Sequence, residues 1–205
     1  MKKIKLTLMM IIISLSQCMS IMTSMGESQN ASNNAKMTPI DGCSFFTPLE
    51  ISKLSTITLD KADYPAGITD KNQCQYTGSA KGQVSMYYIK YSTSETEQGI
   101  KEGINNTMRA VTKAQKDLKD GGVIKEASAR EVTGIGLGAF VSAQRGNQDF
   151  INIELQTSTL EFSLSVKIIL MPGDKKGIPF WEDKATSIGK ALVEKINNKN
   201  YKLKE

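Results

Sequence analysis

The segment Leu160-Glu161-Phe162-Ser163-Leu164-Ser165-Val166-Lys167-Ile168 alternates apolar and polar residues without a break. That period of two commits it to a β-strand with one wet face, because successive side chains of a strand point to opposite sides. Leu160, Phe162, Leu164, Val166 and Ile168 are expected to face a core. The segments before it, Phe150 to Leu155 and Ala139 to Ala143, read as further strands. The turns Arg145-Gly146-Asn147 and Thr157-Ser158-Thr159 join them. Connections this short cannot carry parallel crossovers, so the sheet is expected to be antiparallel.

The first half continues this pattern less clearly. Cys74 to Gly78 and Val84 to Tyr91 read as a hairpin, with Tyr87 and Tyr88 on opposite faces. Ser55 to Leu59 reads as a weak strand, and Asp60 to Asn72 as a turn-rich loop. The period changes near Glu95, where Ile100, Ile104, Met108, Val111 and Leu118 mark one face of a long helix ending at Gly121-Gly122. A final helix opens near Pro179, with Trp181, Ala185, Ile188, Leu192 and Ile196 on one side. The fold class expected is α+β: an antiparallel sheet with the long amphipathic helix and the C-terminal helix packed mainly on one face.

Phe46-Thr47-Pro48-Leu49-Glu50-Ile51 carries the clearest local signal. Thr47 suits an N-cap, Pro48 the first helical position, and Glu50 the reciprocal position of a capping box. Phe46 and Ile51 are placed for a hydrophobic staple. Glu50 is therefore a structural acid in this reading, not a catalytic one.

The N-terminus has a different character. Lys2, Lys3 and Lys5 precede a run of about ten largely apolar residues, the form of a secretory signal. It is too short for a comfortable membrane-spanning helix, which needs roughly 20 residues. The chain carries 26 basic and 21 acidic side chains; without those three lysines the balance is 23 to 21. The basicity is largely a targeting feature, and nucleic acid is not an expected partner. The resulting organisation is a signal over residues 1–17, a Ser/Asn/Gln-rich spacer over 18–38, one α+β domain over 39–198 and a frayed tail over 199–205.

Leu15-Ser16-Gln17-Cys18 closes the signal and resembles the lipobox of bacterial lipoproteins, with Gln17 where a small residue is usual. That resemblance makes Cys18 the lipidation site and the bacterial membrane a partner through a lipid anchor. A freely secreted or periplasmic protein and an uncleaved anchor are the alternatives. Once Cys18 is set aside, Cys43 and Cys74 remain, and an even pair in an exported chain favours a disulfide. Closing a loop of that length stabilises by roughly 3–4 kcal/mol in the chain-entropy account.

Candidate chemistry is sparse. There is no histidine, which removes Ser-His-Asp and Cys-His nucleophile systems and the commonest nitrogen ligand for transition metals. Val132 to Phe140 contains Gly134, Gly136 and Gly138, but the spacing is not that of a dinucleotide loop and no clear strand precedes it. No motif calls for a cofactor or metal. Paired carboxylates alone would still suffice for a glycosidase, and Glu154 and Glu161, on adjacent expected strands, are the pair to inspect.

Cys43-Ser44-Phe45-Phe46-Thr47-Pro48-Leu49-Glu50 also resembles the opening Cys-x-Leu-Leu-Thr-x-x-Glu motif of a group of small bacterial exported lipoproteins. Cys74-Gln75-Tyr76 and Val132-Thr133-Gly134-Ile135-Gly136 are similar to that group's second cysteine segment and its Val-x-Gly-Leu-Gly segment. Phe45 and Phe46 stand where the group has leucines. The resemblance implies a paired-cysteine α+β domain outside the cytoplasm and brings no catalytic residues. The leading expectation is a non-enzymatic, membrane-tethered domain facing the periplasm or exterior that binds an envelope protein or a small ligand. The alternatives are a carboxylate hydrolase of envelope polymers and a structural envelope component.

Overall fold

The computed structural model describes residues 41–66, 71–78, 82–90 and 96–200, without the side chains of 88–90. The signal, Cys18, the spacer, Tyr91 and the tail beyond Asn200 lie outside the described residues. A 3₁₀ turn, Gly42–Ser44, leads into helix α1 (Pro48–Ser55). Strands β1 (Lys61–Asp63), β2 (Gln73–Thr77) and β3 (Gly82–Lys90) follow, then helix α2 (Glu97–Asp120). The second half runs β4 (Ile124–Glu131), β5 (Gly138–Gly146), β6 (Ile151–Ser158), β7 (Phe162–Leu170) and helix α3 (Gly177–Asn197). The seven strands form one sheet in the order β1-β2-β3-β7-β6-β5-β4, antiparallel at every pairing.

The α+β class and the antiparallel sheet agree with the sequence pattern. One face of the sheet carries the main core. Val141 pairs with Leu155 and Leu155 with Val166, all fully buried, and α3 lays Trp181, Ala185, Ile188 and Leu192 over them. The approach is close enough that a Cβ at Gly189 would overlap the end of Leu155. α1 joins α3 on this face.

The long helix is placed differently from the expectation that it shares this face. Gly138 and Phe140 belong to the opposite parity of β5, and the Cβ direction of Gly138 meets Ile104 of α2 at 3.7 Å. Ile100, Ile104 and Phe140 are buried outside the main core. α2 thus covers the second face, over β4 and β5 and as far as β6. The seven-residue gap in its apolar stripe, between Val111 and Leu118, is filled by buried Gln115, whose Nε2 donates to the Ala143 carbonyl at 3.0 Å.

Three boundaries also differ, each for a local reason. Leu160 does not face the core; it is 61% exposed in the β6–β7 turn. Thr159 makes that turn, its Oγ1 accepting from the Glu161 and Phe162 amides and its own amide donating to the Phe162 carbonyl. Ser55 to Leu59 is not a strand. Ser52 Oγ accepts from the Leu59 amide and donates to the Leu59 carbonyl, taking both groups a ladder would use. Finally, a strand does precede the glycine run. β4 is an edge strand whose core-side positions are Ser128 and Arg130 rather than apolar residues, so its sequence shows no hydrophobic alternation.

Candidate functional site

Because α2 stops near β6, no described helix covers the second face of the sheet over β1, β2, β3 and β7 and the adjoining part of β6. The strand register assigns its occupants. One row runs Gln75, Ser85, Lys167, Glu154 across β2, β3, β7 and β6. The next runs Gln73, Tyr87, Ser165, Gln156. A third runs Thr77, Gln83, Ile169, Asn152. Residues of one row are about 4.8 Å apart across strands, and rows are about 6.8 Å apart along them.

Tyr87 is 38% exposed and the other side chains of these rows are half-buried. Two hydrogen-bonded groups hold the surface in order. Gln75 Nε2 donates to Gln83 Oε1 at 2.8 Å. Glu154 Oε1 accepts from Gln156 Nε2 at 2.9 Å and from Ser165 Oγ at 3.2 Å. Among the described residues, Lys167 Nζ and the second oxygen of Glu154 have no such protein partner. Among the described residues, the face therefore presents amide, hydroxyl, carboxylate and ammonium groups, with Ile169, around the ring of Tyr87.

The residues singled out from the sequence fall elsewhere or play other parts. Cys43 and Cys74 are bonded, tying the 3₁₀ turn to β2. Thr47 and Glu50 form the capping box: the Glu50 amide donates to Thr47 Oγ1 at 3.3 Å and the Thr47 amide to Glu50 Oε2 at 2.6 Å. That backbone bond, followed by Lys195, holds the Glu50 carboxyl at about 2, well under its ordinary 4.5. Tyr76 donates to the Phe46 carbonyl at 3.1 Å, and burial pushes its phenol well above the ordinary range.

Glu154 and Glu161 are not brought together. Glu154 lies mid-strand opposite Lys167, whereas Glu161 sits in the β6–β7 turn, six positions along the chain from Lys167. At 3.3–3.4 Å per residue the two acids are about 20 Å apart, beyond the roughly 5–9.5 Å of paired glycosidase carboxylates. The glycine run is a structural loop. Gly136 has φ +55° and no room for a side chain against the Ser158 carbonyl, which accepts from the Leu137 amide at 2.7 Å.

A depression of about 470 Å³ opens away from the polar sheet face, between Gly134 and Ile135 of that loop and Lys190, Glu194 and Asn197 on the last turns of α3. It gathers no paired acids and no activated nucleophile. Glu182 is buried, but its carboxylate is spent joining α3 to the edge strand, accepting from Ser128 Oγ and from Arg130 Nε at 2.9 Å. Among the described residues no three Cys, Asp or Glu side chains converge as metal ligands, and no helix is long and apolar enough to cross a membrane.

No family model and no curated protein matches the chain.

What sequence reasoning missed is the composition of the open face. Its signal was present as the polar half of each alternating strand: Gln75, Gln83, Ser85, Ser165 and Lys167. Alternation tells which residues share a face, but strand order decides which of them become neighbours.

Proposed function

We propose that this chain is a non-catalytic, membrane-tethered domain of the bacterial cell envelope that binds a polar ligand on the open part of its second sheet face. The anchor is Cys18, the spacer over 18–38 gives reach, and the domain faces the periplasm or exterior. The single observation that carries the binding reading is the ordered polar surface around Tyr87, which no described helix covers because α2 packs over β4, β5 and part of β6. A Cys43–Cys74 disulfide fits an oxidising compartment.

Intact mass of the membrane fraction tests the anchor. A lipid-sized adduct present in wild type and lost in Cys18→Ala supports it; an unmodified wild-type chain in the soluble fraction sinks it. Capture of envelope components on immobilised protein tests the face. Retention that falls in Tyr87→Ala, with retention unchanged in Lys190→Ala at the α3 depression, supports the assignment. Loss in Lys190→Ala with Tyr87→Ala unaffected moves binding to the α3 depression.

A further inference from the structure

We infer that the ligand of the open sheet face is a neutral glycan strand, an inference that rests on the binding role given to that face. The first argument is charge. Lys61 and Asp63 pair in register with Thr77 and Gln75, which puts them on the same face as Glu154 and Lys167. Among the described residues, these strands place two cations and two anions on the face, a balanced pair of charges. A polyanion such as a phosphate-linked or uronic-acid polymer, or a nucleic acid, needs an unbalanced basic surface, and the described residues of these strands do not supply one.

The second argument is hydrogen-bonding character. A sugar hydroxyl both donates and accepts, and the groups that match it best are those that do the same. Gln75, Gln83, Gln156 and Asn152 each carry an amide donor and an acceptor. Their mutual bonds consume only part of that capacity. Gln75 to Gln83 uses one N–H and one carbonyl; Gln156 to Glu154 uses one N–H and one carboxylate oxygen. What remains points to a ligand with many hydroxyls rather than to one strong ionic contact.

The third argument is the ring. Tyr87 lies between Gln73 and Ser165 in its row, exposed among polar neighbours. An aromatic face bordered by amides and hydroxyls suits a pyranose, which has an apolar C–H face and a polar edge. An extended peptide is served less well: strand addition uses the backbone of a sheet edge, and anchoring side chains need apolar pockets, which the polar rows described on this face do not form.

Amide NMR chemical shifts of the ¹⁵N-labelled full chain, as isolated, test this with three probes. They are a neutral N-acetylglucosamine tetramer together with a glucose tetramer, polygalacturonate, and solubilised envelope material. Saturable shifts confined to β2, β3, β6 and β7 with either neutral tetramer are expected. Affinity should weaken about ten-fold or more in Tyr87→Ala and in Gln83→Ala, with signals of the main core unmoved in both variants. Shifts of the same residues with polygalacturonate or envelope material, and none with the neutral tetramers, overturn the glycan class and keep the binding face. If none of the three moves the face, both readings fall.

Discussion

Lys195 Nζ lies 2.9 Å from Glu50 Oε1 and 4.5 Å from the centre of the Phe46 ring, so one side chain of the C-terminal helix closes on both the capping acid of helix α1 and the aromatic residue just before it. The two ends of this contact are 145 residues apart. It joins the first α-helix of the described fold to its last.

The Glu50 carboxyl makes that junction acid-sensitive. Its folded-state value is about 2 against an ordinary 4.5, first because the Thr47 amide binds it and then because Lys195 does. A depressed carboxyl gives stability that is full above the unfolded value and lost as pH falls through the folded one. Glu50→Gln should therefore lower stability by about 1 kcal/mol near pH 7, a figure kept small because the pair is partly solvated. The difference from wild type should shrink between about pH 5 and 2. Melting temperatures of both proteins across that range measure it; a constant difference would refute the assignment. Lys195→Met should give an intermediate result, since the Thr47 bond remains.

The disulfide carries a separate prediction. Cys43 and Cys74 are 31 positions apart, and the bond fastens the 3₁₀ turn, otherwise held by hydrogen bonds such as Gly42 amide to Lys71 carbonyl, onto β2. Cys43→Ala/Cys74→Ala should cost about 2–4 kcal/mol in urea unfolding. The sheet of β3 to β7 should persist, so far-ultraviolet circular dichroism of the variant in water should keep its strand signal.

The sequence made the strongest elements legible where one local rule acted alone. The capping box at Thr47 and Glu50 and the α3 stripe from Trp181 to Ile196 needed no partner to be read. β4 was illegible because its core-side positions serve a polar contact to Glu182, which lies 54 residues beyond Ser128 and 52 beyond Arg130. Leu160 looked like a core residue because alternation continues through it, while Thr159 folds the turn there. The second face was half-legible: its polar residues were evident, but the coverage that separates site from seam depends on where α2 lands, and its stripe cannot say on which side of a sheet it will pack.

The glycine loop separates two kinds of requirement. Gly134 and Gly136 both have positive φ, +76° and +55°. A Cβ on Gly134 meets open space, whereas one on Gly136 overlaps the Ser158 backbone. Gly134→Ala should therefore cost only the backbone strain, about 1 kcal/mol. Gly136→Ala adds displacement of the loop from Ser158 and should exceed it by about 1–3 kcal/mol. Chemical denaturation of the two variants decides the point. Equal losses would mean that the loop moves freely and that close approach to Ser158 is not what the glycine serves.

Arg130 and Glu182 allow a sharper test, because the two partners are unequally buried. The Glu182 side chain is 5% exposed and that of Arg130 is 46% exposed. Removing the arginine leaves a buried carboxylate with Ser128 as its remaining partner in this contact; removing the acid leaves a cation that water can reach and Asp183 can approach at 3.5 Å. A buried charge without compensation costs more than the loss of the pair itself. Arg130→Met should accordingly destabilise by about 2–3 kcal/mol. Adding Glu182→Gln to it should recover part of that loss, as the neutral amide no longer needs a counter-charge. Urea unfolding of the two singles and the double closes the cycle. A double variant no more stable than Arg130→Met would mean that Glu182 is held by Ser128 and packing alone, and that Arg130 contributes nothing to fastening the edge strand to α3.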